Sequence, residues 1–130
     1  MKNPFTRKKL TEVEDSAPKF GYGELQEARF ANDDLETEST GISHLTVKAG
    51  KRQGFAHRHD DAEEVYVVVA GSGRVKLDDE IVDLAVMDAI RVSPKVTRQF
   101  EADAEENLVV IAVGARHKGD GEVLPGWWQD

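Results

Sequence analysis

The stretch His57-Arg58-His59-Asp60-Asp61-Ala62-Glu63-Glu64-Val65-Tyr66-Val67-Val68-Val69-Ala70 decides how the chain is read. His57 and His59 stand two residues apart, so on an extended backbone they point the same way. A short polar turn follows. Val65–Ala70 is then β-branched and almost wholly apolar, the composition of a central strand. In that strand Glu64, Tyr66 and Val68 share one face. A turn between two antiparallel strands brings His57, His59 and Glu64 onto one centre. Two imidazoles and one carboxylate make a facial triad for a divalent metal, with positions left open for water or substrate. Fe, Mn, Ni, Zn and Cu all suit such donors, and the spacing does not choose among them. The plainer alternative is a pair of polar histidines at a barrel mouth with no metal.

Outward from this stretch the pattern is β. Ile42–Ala49 alternates Leu45, Val47 and Ala49 against His44, Thr46 and Lys48, the period of a half-buried strand. His44 then faces either the lumen or solvent. Gly50–Gly54 reads as a turn. Gly71-Ser72-Gly73 ends the central strand, and Arg74–Leu77 and Glu80–Leu84 flank an Asp78-Asp79 hairpin signal. Ala89–Val92, Val96–Glu101 and Leu108–Val113 complete the strands. Arg91 faces away from Ile90 and Val92, and Glu63 is expected in solvent. No long segment has a helical period. Many short strands separated by turn residues favour a sandwich or barrel. Leu25–Ala31 fits a short helix or a strand equally, and polar Asn32–Thr40 reads as a loop.

Composition narrows the function. The chain has 130 residues, a formal charge of −8 and no cysteine. An acidic surface excludes a nucleic-acid binder, since phosphate contacts need basic groups. The absent thiols exclude disulfides, thiolate metal sites and Cys nucleophiles. The basic cluster Arg7-Lys8-Lys9 is offset by Glu12, Glu14 and Asp15. No apolar run approaches the ~20 residues of a membrane span, and no targeting segment stands out. The expectation is a cytoplasmic protein with no membrane contact. No strand–turn–helix nucleophile motif or phosphate loop is present.

The stretch resembles the first motif of the cupin family, whose fold is a double-stranded β-helix (jelly-roll) barrel. That motif sets a Gly, His-x-His, Glu and a second Gly at defined spacings. Four residues separate His59 from Glu64 and six separate Glu64 from Gly71, as in the family. Gly50 lies one residue further from His57 than the family's leading Gly. The second motif aligns with Met87 at its first Gly, Ser93-Pro94-Lys95 at Pro-x-Gly, Arg98 at His and Ala102 at Asn. Each of its signature residues is therefore replaced. Its register rests on Asp88, the strand Ala89–Val92, the Pro94 turn and Phe100. The interval Ser72–Val86 also suits the family. The resemblance covers Gly41–Val113.

It implies a single all-β domain over residues 1–130: an N-terminal arm to residue 40, a barrel core over 41–113 and an aromatic C-terminal tail from 114. It also implies that position 98, where the family places a fourth, histidine ligand, here carries a guanidinium with no lone pair. Three readings of Arg98 follow. It pairs with Glu64 inside the barrel, or binds an anion of a ligand directly, or acts on substrate beside a metal on His57, His59 and Glu64. A metal next to a guanidinium repels it unless an anion lies between them, so the last reading predicts an anionic ligand, a carboxylate, sugar or phosphate. Arg98 and Phe100 share the barrel-facing side of their strand and, with Tyr66, are the expected ligand-binding residues; Tyr66 also reads as a core residue with a bonded hydroxyl. No residue is assigned a catalytic role. Overall this gives a metal-dependent isomerase or oxygenase, a metal-free ligand binder anchored by Arg98, or a partner-binding module with a structural Arg98–Glu64 pair. Cupins resembling this one often pair, so a homodimer is expected, with the arm and Trp127-Trp128 as contacts. The two indoles otherwise cover apolar surface. His117 has no nameable partner.

Overall fold

The computed structural model describes residues 3–116 and 119–130, and His117 lies outside them. Among the described residues, ten strands form two five-stranded antiparallel sheets. One sheet contains β1 (Gln26–Phe30), β2 (Thr40–Val47), β9 (Leu108–Ala115), β4 (Glu64–Ala70) and β7 (Ala89–Val92), in that order. The other runs β10 (Glu122–Pro125), β3 (Phe55–Arg58), β8 (Arg98–Ala102), β5 (Gly73–Leu77) and β6 (Glu80–Leu84). This is the jelly-roll barrel. Between the sheets lie Leu45, Val47, Tyr66, Val68, Val75, Val92, Phe100, Leu108 and Val110, drawn from the inward faces of six strands at the expected period of two.

The barrel reaches beyond residues 41–113. Leu25–Ala31 resolves in favour of a strand: β1 pairs with β2 from Gln26–Val47 to Phe30–Ser43. Tertiary pairing decides where local composition is balanced. In the segment read as a loop, Asn32–Leu35 forms a single helical turn, α1. Its Asn32 side chain accepts the Ile42 N–H at 2.8 Å and closes the chain onto β2. The arm before β1 consists of two 3-10 turns, Leu10–Glu12 and Ala17–Phe20, tied down by the Asp15 carboxylate. That carboxylate accepts the N–H groups of Ala17 and Ala28 at 3.0 and 2.9 Å. The tail supplies β10, in register with β3 at Val123–His57.

Trp128 is buried against the outer face of its own sheet, 5% exposed. The Arg52 guanidinium lies 4.1 Å from its ring centre and that of Arg74 5.3 Å, while both arginines bond Glu101. Of the two uses expected for this indole, covering its own barrel is the one observed. His44 points to the outer side of β2, since its neighbours Ser43 and Leu45 line the interior. Its Nδ1 is buried without a hydrogen bond among the described residues. Glu63 is exposed and meets Arg91 at 3.2 Å.

Two positions of the motif pattern adopt left-handed backbone conformations. Gly71 sits at φ +74°, and a Cβ there would lie 1.8 Å from the Asn107 carbonyl oxygen. Met87, which stands at a glycine of the family pattern, keeps a left-handed φ of 75° despite its side chain. Gly71→Ala is expected to destabilise the fold by at least about 2 kcal/mol. Met87→Gly is expected to stabilise it by about 0.5–1 kcal/mol, the relief of a left-handed L-residue less the added chain entropy. Denaturant unfolding of both variants measures the two effects, which have opposite signs.

Candidate metal centre

β3 and β4 face each other across the barrel interior, and the turn at Asp60–Glu63 joins them. Strand period sets His57 inward. The His59 N–H bonds the Pro94 carbonyl at 2.8 Å, which fixes the second histidine just beyond the strand end. Glu64 opens β4 on the inward face. The two imidazole Nε2 atoms lie 3.5 Å (His57) and 3.0 Å (His59) from Glu64 Oε1. One donor atom from each of the three residues falls within 4.8 Å of the others. Ligands at ~2.1 Å from one ion sit ~3.0–3.4 Å apart, so the triad converges closely enough to hold a transition metal.

The chain orients this triad through other groups. His59 Nδ1 contacts the Asp120 carbonyl oxygen at 2.6 Å. A carbonyl only accepts, so Nδ1 carries the proton and Nε2 is the nitrogen offered to an ion. The Asp120 carboxylate in turn accepts the N–H groups of Asp60, Asp61 and Ala62 at 2.6, 3.1 and 2.8 Å. On the other side, Tyr66 donates its hydroxyl to Glu64 Oε1 at 2.6 Å. Arg98 donates from Nη2 to the same oxygen at 2.8 Å and from Nε to the Tyr66 hydroxyl at 3.2 Å. None of these bonds uses Glu64 Oε2.

These contacts set the charges. Burial alone would raise the Glu64 carboxyl, but hydrogen bonds from His57, His59 and Tyr66 outweigh it and hold the group well below the usual carboxylate range. Burial lowers His57, against the raising effect of Glu64, and favours a neutral imidazole with a lone pair. The Glu64 hydrogen bond raises His59, against its burial, so a cation taken up there competes with protonation. Burial and the Glu64 charge push the Tyr66 hydroxyl far above the ordinary phenol range, which keeps it a donor.

The triad closes one end of a cavity of about 390 Å³. Tyr66 lines it, as do residues of the arm, β1, β2 and the Gly119–Val123 segment. Arg98 and Phe100, expected to face a ligand, do not line it. Both are fully buried behind the triad, at 0% and 1% exposure. The remaining Arg98 donor, Nη1, is taken by the carbonyls of Pro94 and Val96 at 3.1 and 2.7 Å. Of the three readings of Arg98, the geometry realises the pair with Glu64. The reason is that a guanidinium sealed in a core needs a carboxylate and carbonyls for its donors. Asp120 was not foreseen in the sequence. Its contribution comes from a backbone carbonyl 61 residues from His59, and only the flanking Gly119 and Gly121 hint at a turn.

The model of the cupin domain family matches residues 43–114. No curated protein matches the chain by sequence. Solved structures share the fold at low identity. A cupin protein from Bacteroides fragilis is 19% identical, with a TM-score of 0.71 over 98% of this chain and 93% of its own. The polyketide cyclase RemF from Streptomyces resistomycificus is 14% identical, with a TM-score of 0.76 over 96% of this chain and 87% of its own. A putative sugar phosphate isomerase from Acidithiobacillus ferrooxidans is 19% identical, with a TM-score of 0.70 over 90% of this chain and 78% of its own. With the family match over more than half its length, a two-sheet jelly-roll and the motif residues gathered at one end of the cavity, the chain belongs to the cupin family.

Proposed function

We propose that this cupin is a metal-dependent protein acting on a small molecule, with one divalent transition metal held by His57, His59 and Glu64. The observation that carries the reading is the convergence of the three donors, with His59 oriented by the Asp120 carbonyl. When bound, the metal would supply Lewis-acid polarisation or activation of an oxygen ligand. The chain's own residues do the rest. Tyr66 and Arg98 clamp one oxygen of Glu64 and stop the carboxylate from rotating. Asp120 fixes the His59 ring. The cavity walls hold the ligand against the triad. The charges at the centre are one carboxylate, a guanidinium behind it and the Asp120 carboxylate behind His59. A divalent ion therefore leaves net positive charge, which favours a ligand with an anionic oxygen.

A second reading has its own observation. Arg98 already occupies Glu64 Oε1 at 2.8 Å, so the pair supports a metal-free barrel in which the guanidinium neutralises the carboxylate. Elemental analysis of the untagged chain, purified without chelator or added metal, separates the two. Close to one transition metal per chain is expected, falling below about a tenth of that in His59→Ala. A chain that retains none and takes up no added Fe, Mn, Ni or Zn overturns the metal reading.

Arg98→Ala strands Glu64 in the interior and is expected to destabilise the fold by ~3–5 kcal/mol, measured by denaturant unfolding. Because the folded Glu64 lies below its unfolded value, its contribution is full above the unfolded carboxylate range, ~4.3, and fades as pH falls below it. The gap between the wild type and Arg98→Ala should accordingly narrow in acid. A gap near zero at neutral pH would contradict the pairing.

A further inference from the structure

The wall of the cavity decides what can enter it. The wall is more apolar than polar, and Phe20, Tyr22, Phe30, Leu45 and Phe55 stand on it. Phe20 and Phe30 remain 67% and 54% exposed, a large apolar area left to water at the mouth. Two polar side chains on the wall already use their amide oxygens on the backbone. Gln26 Oε1 accepts the Gly54 N–H at 2.7 Å, and Gln53 Oε1 accepts that of Phe100 at 3.0 Å. Among the described residues Arg58 is the one Lys or Arg side chain on the wall, and Glu122 holds it at 3.0 and 2.7 Å. Asp120 and Glu122 also lie on this wall.

This distribution discriminates between ligand classes. A sugar would bring many hydroxyls to aromatic and aliphatic surface and leave them unpaired, at a cost for each. A phosphate dianion would meet two carboxylates and an arginine already paired. A flat apolar body loses nothing by leaving water, and its single anionic oxygen finds the triad. The volume, about 390 Å³, falls in the ~300–1,000 Å³ range of small-molecule sites.

We infer that the ligand is a largely apolar, ring-bearing small molecule with one anionic oxygen end, of the class of aromatic acids and phenols, and neither a sugar nor a phosphate ester. The oxygen end rests on the metal reading above; the apolar body rests on the wall alone.

The test is calorimetric titration of the zinc-loaded and metal-free chain with 1-hydroxy-2-naphthoate and with glucose 6-phosphate. The naphthoate is expected to bind the zinc-loaded chain at least about tenfold more tightly than the sugar phosphate. Phe20→Ser, at an exposed position, should weaken the naphthoate by about tenfold, the loss of one aromatic contact. Phe5→Ser, 84% exposed and away from the cavity, controls for adhesion to surface aromatics and should change nothing. Preferred binding of glucose 6-phosphate, an affinity unmoved by Phe20→Ser, or binding of neither probe overturns the inference. Zinc uptake is read separately. A chain that takes zinc yet prefers the sugar phosphate keeps its metal site and loses the apolar ligand. A chain that takes no zinc but binds the naphthoate through Phe20 keeps the apolar ligand and loses the metal.

Discussion

One carboxylate oxygen organises the interior. Glu64 Oε1 receives His57, His59, Tyr66 and Arg98, with contacts from 2.6 to 3.5 Å. These groups come from β3, its end, β4 and β8, so the oxygen ties both sheets together at one level of the barrel. In a low-dielectric interior such a network is strong when complete and destabilising when broken. Its members therefore hold one another in place: Arg98 needs Glu64 for its charge, and Glu64 needs the donors to stay ionised.

The guanidinium changes what the family's site can be. A fourth histidine would add a lone pair at position 98. Arg98 adds a charge and donors instead, and spends them on Glu64, Tyr66 and two carbonyls. Its effect on anything in the cavity is exerted through Glu64. The candidate donor set shrinks to three, and the carboxylate gains a rigid mount. Positioning falls to elements outside the repeated barrel pattern: Asp120 from the tail aims His59, and the arm contributes Phe20 to the mouth.

The fold around this centre accepts wide variation. RemF, a polyketide cyclase, and the putative sugar phosphate isomerase from Acidithiobacillus ferrooxidans share the scaffold with this chain at 14% and 19% identity. The scaffold alone is thus no guide to reaction, and ligand class has to be read from wall and charge. Met87 shows the same tolerance in the backbone. Its left-handed conformation survives where the side chain that best suits it does not.

Local chemistry determined much of this protein. Period-two alternation and β-branched runs set the strands and their inward faces, since strand geometry forces alternate side chains apart. The spacing of His57, His59 and Glu64 set the triad, because two residues on one strand and the first of the next meet across a short turn. Arg98 was legible as a cation in place of a ligand, with pairing to Glu64 among its readings. Other features depended on distant contacts. Leu25–Ala31 became a strand only because β2 offered an unpaired edge. The tail became β10 by pairing with β3, and Trp128 became a cover for its own sheet. The Asp120 carbonyl, the seal over Arg98 and the apolar wall of the cavity belong to residues far apart in the chain. A backbone carbonyl carries no residue-type signal, and burial is a property of what packs above a side chain; both exist only once the two sheets close.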